Sequence, residues 1–327
     1  MRMLVFAFGL MAASACANAT TADSKCKYTR ITELPVWIED GRPVTVGSLN
    51  GRKVGILLDT GSGPSVLHRS AIEMLGLAGF GQVSLRPFGG GGEIAANTVQ
   101  IDEFRLGRTV RKGWRVLVSG DSPFGRDIAL TLGYEFFRNV DVEFDFPGAA
   151  MRLYQAEHCD QARLSYWTSE PANELPLERG SQLRLALQIN GHPVRAQLDS
   201  GASHSVIESD LASRLGMTPR SPGVAAGGCS AGLGANPVDT WIGQFETLSI
   251  GEERIRNPKI RIGELWKDVV DPATPRELQR LPEMLLGVDF LRSHRVLVAH
   301  SQRKIYFTYS GGTVFPPAAT ANCGTRS

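Results

Sequence analysis

Two aspartates carry the most chemical promise in this chain. Asp59 follows Ile56-Leu57-Leu58 and precedes Thr60-Gly61, and Asp199 follows Ala196-Gln197-Leu198 and precedes Ser200-Gly201. Either alone reads as an ordinary turn aspartate. Two in one context mean more: carboxylates that a fold brought to about 3 Å could not both ionise easily and would hold one proton between them. One member then accepts a proton while the other donates one, which is general acid–base chemistry. The glycine after each Thr or Ser permits a tight loop that turns backbone N–H groups onto the carboxylate.

Other reactive residue types lack such a context. His68 and His204 lie close to the Asp loops but at different offsets, nine and five residues on, which suits a polar role at a helix start better than catalysis. Gly89–Gly92 is followed by no Gly-Lys-[Ser/Thr], so it reads as a flap or plain loop rather than a phosphate cradle. No Cys sits in a C-x-x-C pair and the histidines are dispersed, so neither a zinc site nor any other metal or cofactor is expected.

The two loops belong to a repeat. Asn50-Gly51, Val54, Leu58-Asp59-Thr60-Gly61, Ser65-Val66 and Leu75-Gly76 return 140 residues later as Asn190-Gly191, Val194, Leu198-Asp199-Ser200-Gly201, Ser205-Val206 and Leu215-Gly216. Ten of the 27 positions in the ungapped window 50–76 are identical, which establishes a tandem duplication. The likeness continues from Leu106-Gly107 to Ile250-Gly251, from Leu132-Gly133 to Leu286-Gly287 and from Phe137-Arg138 to Leu291-Arg292.

The elements that must position the aspartates follow from the same pattern. Segments 44–49 and 53–58 read as strands joined at Asn50-Gly51, and 183–189 and 194–198 as strands joined at Asn190-Gly191. Asn-Gly supplies the two positive-φ residues of a type I′ hairpin turn. A short helix follows each loop, over 69–75 and 209–215, stopped by Gly76 and Gly216. A glycine-rich stretch comes next, at 89–92 and 227–234, and then further strands. Gly133 and Gly287 are expected beneath the Asp loops, where close packing leaves no room for a side chain. The stretch 156–180, with Pro171 and Pro176, reads as the inter-lobe connection, and 264–282 as an insertion peculiar to the second half.

This arrangement resembles the aspartic proteases, specifically the retropepsin-like branch. There a strand ends in Asp-[Ser/Thr]-Gly, followed by a helix, a glycine-rich flap and a late apolar-apolar-Gly segment. Both halves match, over 33–155 and 181–310. The resemblance implies an all-β, bilobal acid-protease fold whose two barrel lobes are related by a pseudo-two-fold axis. It implies a catalytic dyad of Asp59 and Asp199, supported by Thr60, Gly61, Ser62, Ser200 and Gly201, with the Thr60 and Ser200 hydroxyls bridging the two loops. It further implies flaps around Gly89, Gly90, Gly91 and Gly92 and around Gly227 and Gly228. The pepsin-like pattern places Ser or Thr three residues after each Asp; this chain has Ser62 there in the first half but departs with Ala202 in the second. A Ser62 hydroxyl bonded to Asp59 would make Asp59 the more readily ionised member.

Composition bounds what remains. With 327 residues and 42% apolar composition the chain can bury two sizeable cores. The net charge is +2 and the basic residues are scattered, which argues against a nucleic-acid or anionic-membrane partner. Residues 1–19 read as a signal peptide, with Arg2, an apolar run and Ala17-Asn18-Ala19 as the cleavage site. A lipoprotein box at Ala13-Ser14-Ala15-Cys16 is the alternative, and no later stretch approaches membrane-spanning length. Arg outnumbers Lys 28 to 7, a bias of GC-rich bacterial genomes. The expected setting is therefore periplasmic or secreted. There Cys26, Cys159, Cys229 and Cys323 invite two disulfides, expected as Cys26–Cys159 and Cys229–Cys323. Residues 311–327 form a tail.

The function implied is an aspartic endopeptidase, monomeric, acting on peptide or protein substrates through an intramolecular site. Two alternatives stand beside it: a non-catalytic peptide-binding module on the same fold, and a site completed by a second chain.

Overall fold

The Asn-Gly turns fix the register of both repeats. Asn50 and Gly51 have φ of 49° and 78°, and Asn190 and Gly191 have 50° and 79°, as a type I′ turn demands. Each turn joins strand Arg42–Leu49 to Arg52–Leu58, and Arg184–Ile189 to His192–Leu198. In both hairpins the returning strand is exposed at its start and buried at its last three residues, so each runs from the surface into the core just before its aspartate. The computed structural model describes residues 25–77, 79–85, 94–119, 128–179, 182–230, 238–266 and 281–316, with the backbone alone for 79–85, 94–96, 230 and 238.

Among the described residues three sheets form, and the molecule is mostly β with short helices. An eight-stranded sheet forms the first lobe, and pairing of Arg42–Leu49 with Ile94–Leu106 curls it toward closure. A nine-stranded sheet forms the second lobe. In each, the strand that ends at the aspartate pairs in parallel with a later one: Leu58 lies opposite Leu132, and Leu198 opposite Leu286. That later strand pairs antiparallel with the short strand after the Asp loop, Val66–Leu67 or Val206–Glu208. The loop is thereby held on both flanks by the same partner.

A six-stranded antiparallel sheet joins the lobes. At its centre Asp141–Asp145 of the first half pairs with His294–Ala299 of the second, Val142 opposite Val298 and Asp145 opposite Arg295. These two strands occupy equivalent places in the repeat, so the pseudo-two-fold axis passes between them. The stretch expected as connection supplies the strand Asn173–Pro176, which pairs with Lys304–Tyr309 at one edge of this sheet. One continuous apolar core runs through both lobes, from Leu58 and Phe104 to Leu198 and Phe290.

Cys26 and Cys159 form a disulfide that closes the outer edge of the first half, as the sequence led one to expect. Cys229 is also disulfide-bonded, and its expected partner Cys323 lies outside the described residues, as does the 1–19 segment. Among the described residues no helix is long and apolar enough to cross a membrane.

Candidate active site

The Asp loops are locked to each other by a reciprocal set of four hydrogen bonds. The Thr60 hydroxyl donates to the Leu198 carbonyl at 3.0 Å and accepts from the Ser200 N–H at 3.0 Å. The Ser200 hydroxyl donates to the Leu58 carbonyl at 2.8 Å and accepts from the Thr60 N–H at 3.0 Å. Both hydroxyl residues are fully buried. A hydroxyl side chain at each position thus satisfies one N–H and one carbonyl of the other lobe.

This clasp presses the carboxyls together. A methyl on Gly61 would stand 2.3 Å from the carboxyl carbon of Asp199, and one on Gly201 2.3 Å from that of Asp59. Glycine is required at both positions because each backbone flanks the opposite acid. The two carboxyls share a hydrogen bond, and each residue is only 9% exposed. One oxygen of each is held from below. Asp59 Oδ1 accepts the N–H of Gly61 at 2.9 Å and of Ser62 at 2.8 Å, and Asp199 Oδ1 accepts those of Gly201 at 2.8 Å and Ala202 at 3.2 Å.

Burial raises the proton affinity of both acids above the usual carboxylate range. For Asp199 the neighbouring charge of Asp59 raises it further, to about 7. The N–H donors and the Arg42 guanidinium oppose this rise without cancelling it. The pair therefore retains a proton up to near neutrality, and where only one of the two has ionised a base and an acid stand side by side.

The scaffold beneath is duplicated bond for bond. The amides of Asp59 and Asp199 donate to the carbonyls of Leu132 and Leu286 at 3.0 and 2.9 Å. The amides of Gly133 and Gly287 donate to the hydroxyls of Ser65 and Ser205, both at 2.9 Å. A methyl on Gly133 would lie 2.6 Å from the Pro64 carbonyl, and one on Gly287 2.6 Å from that of Ala202, so neither position tolerates a side chain. In the second lobe Asp289, buried, adds a brace by accepting the Ser205 hydroxyl at 2.6 Å.

Several sequence expectations change at this resolution of detail. The Ser62 hydroxyl donates to the Pro64 carbonyl at 2.8 Å and not to Asp59. A serine that bonds the backbone locally has no proton left for the carboxylate, so Ser62 supports Asp59 through its amide, as Ala202 does for Asp199. The Ser62/Ala202 difference therefore does not set the dyad's asymmetry. His68 is fully buried, its Nε2 3.0 Å from the Thr131 hydroxyl, and burial lowers its pKa to about 4. It is a core residue rather than a side-chain helix cap. Gly227 and Gly228 lie in the strand Ala225–Ser230, paired with Val238–Gln244 in a hairpin that carries a register shift between Ala226 and Gly228. Gly89, Gly90, Gly91 and Gly92 lie outside the described residues, between two strands that pair with each other. Arg42 and Asp289 were not singled out by their residue types. Arg42 is visible only by asking what the repeat places opposite it.

The model of the family described as aspartyl protease matches residues 43–136 and 185–290, together more than half of the chain. DNA damage-inducible protein 1 of Kluyveromyces lactis is 34% identical over 122 residues, a match that covers 36% of this chain and 24% of that protein's length. The crystal structure of aspartic proteinase from Irpex lacteus superposes with a TM-score of 0.51 over 88% of this chain and 99% of that one, at 11% identity, a likeness of fold. The matched segments each contain one of the two clasped Asp loops, and the chain belongs to the aspartyl protease family.

Proposed function

We propose that this protein is an aspartic endopeptidase whose single active site is formed within one chain by Asp59 and Asp199. The observation that carries the reading is the carboxyl pair itself, buried, hydrogen-bonded and clasped by Thr60 and Ser200. A water between the acids loses a proton to the ionised carboxylate as its oxygen attacks the scissile carbonyl carbon. The protonated member gives its proton to the carbonyl oxygen, yielding a neutral diol. Collapse of the diol returns one proton to a carboxylate while the other acid protonates the departing amine, so the dyad ends as it began. The flap expected at Gly89–Gly92 and the hairpin that carries Gly227 and Gly228 would cover the substrate. The Cys26–Cys159 disulfide favours an oxidising compartment, periplasmic or extracellular.

A module that only bound peptides would gain nothing from two buried acids whose ionisation is costly. Cleavage of a peptide library by wild type, and its loss by at least a thousandfold in Asp59→Asn and in Asp199→Asn with cooperative unfolding retained, is the expected result. A variant with near wild-type turnover would rule out the dyad.

A further inference from the structure

The clasp is symmetric, but the charge around it is not. Arg42 and Gln182 stand 140 residues apart, the offset of the repeat. The frames agree, since Val44 lies opposite Leu57 and Arg184 opposite Gln197. Neighbouring contacts are similar in the two lobes. A methyl on Gly41 would lie 2.8 Å from Ser203 Cβ, and one on Gly63, the repeat mate of Ser203, would lie 3.2 Å from Gln182 Nε2. Equivalent corners of the two lobes therefore carry a cation in one case and a neutral amide in the other.

The two side chains behave differently. Gln182 accepts a hydrogen bond from Gln197 of its own lobe at 3.3 Å. Arg42 Nε instead crosses to donate to the Gly201 carbonyl at 2.8 Å. That carbonyl belongs to the peptide whose N–H, on Ala202, donates to Asp199 Oδ1. A guanidinium on the carbonyl polarises the peptide and strengthens its N–H as a donor. The groups that face Arg42 are Asp59 and Asp199 from the two loops, Asp40 from its own turn, and His204 beyond Gly201. Burial, Arg261 and Arg42 lower the pKa of His204.

We propose that Arg42 is a positioning residue for the dyad: from the first lobe it acts through the Gly201–Ala202 peptide and by its charge to keep one carboxyl of the pair ionised in acid. Its kinetic consequence rests on the endopeptidase reading, since the ionised member is the base that takes the proton of water. The repeat fixes the asymmetry, because at these equivalent corners the first lobe carries Arg42 and the second carries Gln182.

The test substitutes each corner by the residue of the other. In Arg42→Gln the acid limb of kcat/KM should move up by about one pH unit, the scale for losing one nearby opposite charge. Arg42→Lys should hold the limb near wild type, and Gln182→Arg should move it down. A uniform loss of activity at all pH values with the limb fixed, or an unmoved limb in Gln182→Arg, would overturn the proposal. Thermal unfolding against pH gives a readout independent of cleavage. Ionising the dyad costs stability, so the fall in Tm between acid and mildly alkaline pH should be steeper in Arg42→Gln than in wild type, and parallel curves would overturn the assignment. Wild type that cleaves no peptide at any pH would remove the endopeptidase reading, while the unfolding curves would still decide the role of Arg42.

Discussion

Asp199 holds a proton that an exposed aspartate would have lost well below neutrality, and this has a consequence for stability. A carboxyl whose folded pKa lies above its unfolded value binds the proton more tightly when folded. Its contribution is greatest at low pH and is lost as pH rises from about 4, the unfolded value, toward about 7. Asparagine carries no charge to desolvate, and its Oδ1 still accepts the N–H groups of Gly201 and Ala202. Asp199→Asn should therefore match wild type in urea unfolding near pH 4 and exceed it by about 1–3 kcal/mol above neutrality. A variant less stable than wild type at alkaline pH would mean that the carboxylate, once ionised, is well solvated. The same substitution abolishes the proposed activity, so stability and function trade against each other at one atom pair.

The packing beneath the Asp loops is decided by strands whose order repeats, and that order was legible. Leu58 and Leu198 ahead of the acids, and Leu132-Gly133 and Leu286-Gly287 later, could be aligned from the sequence because the duplication preserves residue type at these positions, where backbones touch beneath the Asp loops. Gly133 is the sharpest case. A methyl there meets the Pro64 carbonyl carbon and oxygen, both at 2.6 Å, and backbone cannot swing aside as a long side chain would. Gly133→Ala should destabilise by about 1–3 kcal/mol in urea unfolding. A neutral result would show that the loop can shift without loss. What the pattern did not disclose are contacts that break the repeat. The direction of the Ser62 hydroxyl depends on a local choice between a carboxylate and the Pro64 carbonyl, which residue type alone leaves open. Arg42 reaches across to Gly201, 159 residues away, and its meaning comes from Gln182 not doing the same. The acids, their hydroxyl bridges and the scaffold glycines were thus readable, whereas the electrostatic asymmetry required coordinates.

At the level of the whole chain, the duplication places both halves of the site on one polypeptide, and the contacts between halves are extensive. Strand Asp141–Asp145 is zipped to His294–Ala299 across the pseudo-two-fold axis, one apolar core passes through both lobes, and the Thr60–Ser200 clasp closes over it. Separating the lobes would expose that core and give up the four hydrogen bonds between the Asp loops, each worth about 0.5–1.5 kcal/mol net. Exchange of lobes between chains should therefore be negligible once the protein is folded. The consequence is testable by complementation. Asp59→Asn and Asp199→Asn chains, folded separately and mixed in equal amounts, should remain inactive, because each molecule keeps its own damaged pair. If the site were completed between chains, a mixed dimer would unite an intact Asp59 loop with an intact Asp199 loop, and cleavage would return on mixing. Wild-type specific activity should likewise stay constant on dilution. A fall with dilution, together with recovery in the mixture, would place the pair between two molecules.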